Sequence, residues 1–160
     1  MPTVSAIAPS ILGFNVLARN DHPFSDGEPD RPGTDRRRRK RRKMSGNRVL
    51  LLGKQRELAL YRAEFLRQSG FQVSIPATLP DAIAEITRGA YDVAVLSYTL
   101  SSDEVQRMAE LLRQTCPECP LVTISTVQRK DFKVDPDETV LADEGPVGLM
   151  KVLQRLRRHQ

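Results

Sequence analysis

The sequence has little of the residues on which several classes of protein depend. It contains two cysteines, two histidines and no tryptophan in 160 residues. Two cysteines cannot build the disulfide framework of a small secreted protein, and no run of about 18 apolar residues is present to span a bilayer. No Lys or Arg precedes Arg19, so the mildly apolar amino terminus lacks the basic start of a signal peptide. We therefore expect a cytoplasmic protein without a membrane span.

The scarcity of histidine and cysteine also limits catalysis. His22 lies in a charged segment and His159 near the chain's end, so they offer no catalytic triad and no acid–base pair. Cys116 and Cys119 have the C-x-x-C spacing of a redox site or of half a zinc site, but no second pair and no nearby histidine accompanies them. We favour a structural loop for this pair. The sequence predicts no enzyme activity, no catalytic residue and no metal site.

Positive charge is concentrated in the first quarter of the chain. Residues 1–43 contain ten Lys and Arg against five acids, and the remainder holds fifteen of each sign, so the formal net charge of +5 belongs to this segment. Pro, Gly and charged residues dominate residues 20–43 and leave almost nothing to bury. We expect residues 1–43 to be a disordered basic segment and residues 44–160 to be one folded domain.

The eight consecutive cations from Arg36 to Lys43 allow two interpretations. Such an arm would bind a nucleic-acid backbone or anionic lipid by releasing counterions, without reading a base sequence. Alternatively, the segment is not translated, because Met44 follows it directly and a purine-rich ribosome-binding site read in frame would encode Arg and Lys. We favour this second interpretation, a mis-called start, and keep the first as an alternative.

Strand and helix patterns alternate from residue 47 onward. Short apolar runs predict strands at 49–52, 71–75, 92–96, 121–125 and 138–141. Four helices are predicted. The first has Leu58, Tyr61 and Phe65 at helical spacing, and the second runs from an N-cap at Thr78 to Gly89 with an inward face of Leu79, Ala82, Ile83 and Ile86. The third runs from Ser102 or Asp103 to Cys116 with Val105, Met108, Ala109 and Leu112 inside, and the fourth begins at about Pro146 with Val147, Met150, Leu153 and Leu156 inside. This alternation implies parallel strands joined by right-handed crossovers, hence an α/β three-layer sandwich.

The third strand is the most informative part of the chain. The run Asp92 to Leu96 has the composition of a strand buried on both faces. Sites on parallel sheets gather at the carboxyl ends of the strands. Here that end carries Ser97, Tyr98 and Thr99, and no carboxylate.

Residues 48–158 resemble a response regulator receiver domain, the CheY-like module of two-component phosphorelays. The resemblance rests on the order and spacing of four pieces: VLLLGKQ at 49–55, FLRQSGFQV at 65–73, LPDAIAEITRGAYDVAVLS at 79–97 and CPLVTIST at 119–126. It implies a five-stranded parallel sheet of order 2-1-3-4-5 with a fourth helix between the fourth and fifth strands. Only about eleven residues, 127–137, separate those strands here, so we expect that helix to be shortened or missing.

The resemblance also implies a phosphorylation site that this sequence does not complete. In the family, two acids after the first strand and a phosphoacceptor aspartate after the third hold one Mg²⁺. The matching positions here are Gly53 and Lys54 for the acids and Ser97 for the phosphoacceptor. The family's hydroxyl after the fourth strand matches Ser125, and its lysine after the fifth strand is replaced by Asp143. We therefore expect Mg²⁺ binding to be lost and no cofactor to be used.

Two residues of this degenerate site allow more than one role. Lys54 either reaches toward Ser97 and Asp143, as an internal counterion in place of the metal, or is a solvated lysine on a loop. Ser97 is disfavoured as a phosphoacceptor, because a serine ester forms by different chemistry from an acyl phosphate and no base accompanies it.

The function expected from the sequence is therefore that of a stand-alone pseudo-receiver, a signalling or adaptor domain that acts through protein–protein contacts. No effector domain is expected after the last helix, so a partner protein or self-association would provide the output. The alternative is a nucleic-acid-associated protein that uses the Arg36–Lys43 arm.

Overall fold

The computed structural model describes residues 42–126 and 134–157. Five strands form one sheet: β1 (Arg48–Leu52), β2 (Gln72–Ser74), β3 (Val93–Leu96), β4 (Leu121–Ser125) and β5 (Glu138–Leu141). Their order is β2-β1-β3-β4-β5, and all neighbouring pairs are parallel. From β1 the strand order runs to the β2 edge on one side and through β3 to β4 and β5 on the other, which places the switch point between β1 and β3. The α/β architecture and the strand order predicted from the sequence are confirmed.

Four α-helices cover the two faces of the sheet: α1 (Arg56–Gln68), α2 (Leu79–Arg88), α3 (Ser102–Thr115) and α4 (Gly145–Arg157), with a short 3-10 helix at Ala142–Glu144 before α4. Alternate strand residues point to opposite faces. Val49, Leu51, Val93, Val95, Val122, Ile124 and Val140 share one core with α1 and α4. Leu50, Leu52, Ala94, Leu96 and Leu121 share the other core with α2 and α3. None of the described helices is both long and apolar enough to cross a bilayer.

Local sequence signals fix the bounds of α2 and α3. The Thr78 side chain accepts a hydrogen bond from the Asp81 amide at the start of α2, and Gly89 ends that helix with a φ of 69° that favours glycine. Ser101 and Glu104 form a reciprocal capping box at the start of α3. The inward faces predicted for these two helices agree with the buried or partly buried residues.

The predicted faces of α1 and α4 are partly wrong. The apolar residues predicted at helical spacing in α1 were Leu58, Tyr61 and Phe65, but its buried residues are Ala59, Arg62, Ala63 and Leu66, and Tyr61 is 62% exposed. In α4, Val147 is 42% exposed instead of buried, whereas Leu149, Val152, Leu153 and Leu156 face the core. In α1 the close contact with the sheet is made by a face one residue along from the predicted residues, and it uses alanines, which allow a close approach. In α4 the predicted Leu153 and Leu156 are buried, and Met150 packs against the same core.

The connection between β4 and β5 includes residues 127–133, which lie outside the described residues. The expected shortening or loss of the helix in this connection falls mainly on them. Among the described residues of the connection, Thr126 and Val134–Asp137, no helix is present. Four described helices fit an architecture whose fourth helix is shortened.

The expected disordered segment, residues 1–43, lies outside the described residues as far as residue 41. Arg42 is described, and its guanidinium lies 3.2 Å from a carboxylate oxygen of Asp137. Met44 is fully buried, and its amide donates a hydrogen bond of 3.3 Å to the carbonyl of Leu156. The side chain of Met44 is therefore part of the core beneath α1 and α4.

Candidate functional site

The carboxyl ends of β1 and β3 lie side by side and bring Gly53 and Ser97 together. The Ser97 amide donates a hydrogen bond of 2.8 Å to the carbonyl of Leu52. A Cβ atom added at Gly53 would lie 2.9 Å from both the Cβ of Ser97 and the Oγ1 of Thr99. Such contacts are too close for any larger residue without movement. Position 53, where the resemblance implies an acid, therefore has no room for one in this arrangement.

Three hydrogen-bond donors converge on the hydroxyl oxygen of Ser97. The Arg62 guanidinium lies 3.4 Å away, the Thr99 amide 3.4 Å and the Thr99 hydroxyl 3.3 Å. Each distance is long for a hydrogen bond, so each contact is weak. Because Ser97 is only 3% exposed, water does little to replace these contacts. The site offers hydrogen-bond donors around a neutral acceptor.

Arg62 is the charged residue whose side chain contacts the hydroxyl of Ser97. It projects from the buried face of α1 and is 4% exposed. Its guanidinium carbon lies 5.6 Å from the centre of the Tyr98 ring, in cation–π range. Burial lowers the pKa of the Arg62 guanidinium, and Tyr98 partly opposes that shift. No carboxylate among the described residues forms an ion pair with Arg62, so the partner that favours its charged form is the Tyr98 side chain.

Lys54 does not reach into the site as the counterion hypothesis proposed. Its ammonium lies 2.9 Å from the carboxylate of Glu104 on α3, and its side chain is 56% exposed. The pair lowers the pKa of Glu104, and the Ser101 amide lowers it further. Only the backbone of Lys54 contacts the Ser97 neighbourhood, through a 2.9 Å bond from its amide to the Thr99 hydroxyl. The cation against Ser97 is Arg62, not Lys54.

The two remaining predicted positions lie at the ends of β4 and β5. Ser125 is the last residue of β4 and is 7% exposed, and its hydroxyl donates to the carbonyl of Thr126 at 3.2 Å. Asp143 is exposed in the 3-10 helix after β5. Within the described residues Asp143 makes no hydrogen bond or ion pair with Lys54.

The side chains at this edge do not fit a divalent cation. Mg²⁺ prefers carboxylate oxygens, and Ser97 is surrounded by hydroxyls, an amide and a guanidinium. No group of three or more His, Cys, Asp or Glu side chains in the described part of the chain is arranged to hold a metal ion.

Sequence reasoning missed Arg62, although a signal for it existed. Ala59, Arg62, Ala63 and Leu66 recur at helical spacing. The competing face with Tyr61 carries larger apolar residues and therefore has the stronger apolar periodicity. Helical spacing could have placed Arg62 on the buried face of α1, but not against Ser97.

The two cysteines are joined in a disulfide, Cys116–Cys119. Cys116 ends α3, and Cys119 lies in the turn that leads to β4. While the bond is intact, neither sulfur is available as a thiolate ligand for a metal. A thiolate at the carboxyl end of a helix is disfavoured by the helix dipole, unlike the activated cysteines that lie at helix amino ends. The position favours the structural role expected for this loop.

The fold matches solved receiver domains. The receiver domain of the hybrid histidine kinase CckA is 14% identical with a TM-score of 0.56, over 68% of this chain and 97% of that one. A receiver domain from Bermanella marisrubri is 16% identical with a TM-score of 0.58, over 69% and 98% of the two chains. A two-component response regulator from Clostridium difficile is 17% identical with a TM-score of 0.60, over 71% and 98%. No protein-family model and no curated protein matches the sequence. At these identities the likeness shows the fold: residues 42–126 and 134–157 adopt the receiver architecture.

Proposed function

We propose that this chain is a receiver-like signalling or adaptor domain of a two-component system that works without phosphorylation, in the cytoplasm, through protein–protein contacts. The observation that carries the proposal is the buried guanidinium of Arg62 against Ser97, at the sheet edge where a receiver would hold its phosphoacceptor. The receiver-like fold provides the signalling context, and the site chemistry argues against the usual switch.

Three features of the site oppose phosphoryl transfer. The hydroxyl of Ser97 has no described base to remove its proton. The cation Arg62 would repel a divalent metal entering beside it. The space at Gly53 is filled by Ser97 and Thr99, so the metal would also lack a ligand from β1. Each feature alone weakens the reaction, and together they leave neither acceptor nor metal.

Without phosphorylation, the domain would transmit its signal by binding another protein. Among the described residues, the most exposed large apolar side chains are Tyr61 and Leu60 on α1 and Val147 and Leu141 near the start of α4. They provide test positions for contact with a partner protein or a second copy of the chain. A variant with Tyr61→Ser should lose a partner captured through α1 while its stability stays close to that of the wild type, because the ring is mostly in water.

The test of the central claim is the intact mass of the protein after incubation with Mg²⁺ and a small acyl phosphate donor. We expect no added phosphate, with or without the metal. A phosphorylation-competent receiver domain treated in parallel is the positive control. A stoichiometric gain of phosphate mass, lost in Ser97→Ala, would overturn the proposal.

The alternative function, nucleic-acid association, depends on Arg36–Lys43. Residues 36–41 lie outside the described residues. Arg42 is described and is engaged with Asp137, so part of its charge is already compensated within the domain.

A further inference from the structure

A cavity of about 240 Å³ lies next to the degenerate site, on the face of the sheet covered by α2 and α3. It opens beyond the carboxyl ends of β1 and β2, between the first turns of those two helices. Its apolar wall consists of Leu52, Ile75, Leu79, Ala82, Leu100 and Met108. Its polar rim includes Lys54, Arg56 and Glu104. In open α/β sheets, ligands bind beyond the carboxyl ends of the strands.

The apolar wall is part of the rigid core. Leu52, Ala82, Leu100 and Met108 are each at most 4% exposed, and all four belong to the core shared with α2 and α3. The cavity is slightly smaller than the range of about 300–1,000 Å³ typical of ligand pockets, so its occupant must be small. An apolar group seated there would displace water and gain roughly 25 cal/mol for each Å² removed from solvent.

The charges at the rim favour an anion. Lys54 and Arg56 provide two cations against one carboxylate, that of Glu104. Arg56 is exposed, and its guanidinium makes no hydrogen bond or ion pair within the described residues. A guanidinium that is not already paired can bind a carboxylate with two parallel hydrogen bonds.

Lys54 can also turn toward an anion without leaving Glu104 unpaired. Besides the ammonium of Lys54 at 2.9 Å, the carboxylate of Glu104 accepts a 2.8 Å hydrogen bond from the Ser101 amide. That bond belongs to the capping box of α3 and does not depend on Lys54. The cost of sharing Lys54 with a ligand is therefore small.

We propose that this cavity binds a small organic acid, with one carboxylate held by Arg56 and Lys54 and a compact apolar body seated on Leu52, Leu100 and Met108. The inference does not rest on the proposed signalling function, because it uses none of the residues around Ser97 other than Lys54. A cationic ligand would be repelled by Arg56, and inorganic phosphate would leave the apolar wall in contact with water.

The first test uses the full chain, titrated with benzoate and with 3-methylbutanoate and followed by calorimetry and by amide shifts in ¹H–¹⁵N spectra. We expect saturable binding, with shifts at residues 52–56, 75–79 and 100–108. Benzamide, which keeps the shape and loses the charge, should bind about tenfold more weakly, the worth of a charge-assisted hydrogen bond. Inorganic phosphate should not shift residues 100–108. Equal binding of benzamide and benzoate, or no shift at the lining residues with either acid, would overturn the proposal.

The second test uses matched variants. Arg56→Gln should weaken benzoate binding by about tenfold, and it is exposed enough to leave folding intact. Ala82→Leu narrows the cavity without changing charge and should weaken benzoate and benzamide alike. Arg88→Gln removes an exposed arginine at the end of α2, away from the cavity, and should bind as the wild type does. Benzoate binding unchanged in Arg56→Gln would contradict the proposed role of that side chain and with it the inference.

Discussion

Ser97 is surrounded by donors that a carboxylate would satisfy better than its hydroxyl does. Arg62 and the amide and hydroxyl of Thr99 all approach one neutral oxygen at 3.3–3.4 Å. Ser97→Asp would place a negative charge against the buried guanidinium. Hydrogen bonds to charged groups contribute about 1.5–3 kcal/mol. We therefore expect Ser97→Asp to be more stable than the matched neutral variant Ser97→Asn by about 2 kcal/mol at pH 7, measured by urea unfolding.

The same comparison separates an internal ion pair from a restored metal site. Because Arg62 would pair with the new carboxylate, we expect Mg²⁺ to change the stability of Ser97→Asp no more than that of Ser97→Asn. If the two variants were equally stable, the Arg62 guanidinium would have to lie elsewhere in solution. If Mg²⁺ stabilised Ser97→Asp selectively, the argument that the cation excludes the metal would be wrong.

Asp92 is a buried carboxylate at the opposite end of β3, and it holds the start of β1. Its oxygens accept hydrogen bonds from the side chain of Arg48 at 3.0 Å, from the Arg48 amide at 2.9 Å and from the Ser45 hydroxyl at 3.0 Å. The Arg48 side chain is the main cause that lowers the pKa of Asp92 below its ordinary value of 3.8, and burial opposes the shift. The ionised form is therefore the one that the fold stabilises.

Asp92→Asn should lower the free energy of unfolding by about 2 kcal/mol at pH 7, since it weakens several charge-assisted hydrogen bonds at once. A carboxyl whose folded pKa is depressed stabilises the fold above its unfolded pKa, and that contribution is lost as the pH falls through the folded pKa. The gap between wild type and variant should thus narrow below about pH 4. Glu118→Gln, at an exposed turn position, is the control. A gap that stays constant down to pH 2 would contradict the assignment.

The position of Arg62 shows what the sequence could not supply at the scale of single residues. The residues at positions 53, 54 and 97 are not acids, and the sequence alone shows this once the resemblance to receiver domains assigns those positions. Which cation would lie against Ser97 could not be read from the sequence, because Lys54 follows β1 directly, whereas Arg62 reaches Ser97 only after α1 packs on the sheet. Glu104 also competes for Lys54, and that contact depends on where α3 begins.

At the scale of the elements, prediction succeeded where local signals and packing agree. α2 and α3 have side-chain caps and single apolar faces, so both their bounds and their inward residues were predictable. α1 has no side-chain cap hydrogen bond at its start and carries apolar residues on more than one face. The face of α1 that packs against the sheet is the one with the alanines, because small residues allow closer packing. Tyr61 therefore remains exposed to water. Tertiary packing thus overrode the apparent periodicity.

The disulfide staples the end of α3 to the start of β4. Cys116 ends the helix, and one residue, Pro120, separates Cys119 from β4. Closing so short a loop removes little freedom from the unfolded chain, worth about 2 kcal/mol in the chain-entropy account. Reduction with dithiothreitol should lower the free energy of unfolding by about that amount. The variant Cys116→Ser with Cys119→Ser should show the same loss and no response to dithiothreitol.

Two outcomes would revise that account. If the reductant left the wild type unchanged, the bond would not be formed in solution or would contribute nothing to stability. If it destabilised the double variant equally, the effect would not come from the disulfide. Binding of Zn²⁺ by the reduced wild type, and not by the double variant, would support the zinc-binding role that we disfavoured for Cys116 and Cys119.

At the scale of the whole molecule, Asp137 joins parts that are far apart in sequence. One of its carboxylate oxygens lies 3.2 Å from Arg42, and the other accepts hydrogen bonds from Arg113 at 2.9 Å and from the Leu121 amide at 2.8 Å. Asp137 thus connects residue 42 to α3 and to the amino ends of β4 and β5, at the edge of the sheet opposite Ser97. The folded domain therefore makes a specific contact with the last part of the basic run.

This contact decides how the basic arm should be tested. Deleting residues 1–43 would remove the Arg42–Asp137 pair together with the charge, and the two effects would be mixed. Replacing only the six cations at 36–41 by glutamine keeps the Arg42–Asp137 pair. It also leaves the folded domain unchanged, and the charges of that domain balance from residue 44 onward. The comparison then measures the arm alone.

The nucleic-acid alternative requires the wild-type chain to bind duplex DNA at low salt without sequence preference, with an affinity that falls steeply as salt is added. Each phosphate neutralised contributes about −0.9 to the slope of log K against log salt, so removing six cations should flatten the slope by at most about 5. A wild type that binds no DNA even at low salt would end the nucleic-acid alternative. A slope equally steep in both proteins would place the DNA contact on the folded domain, whose balanced charge argues against it.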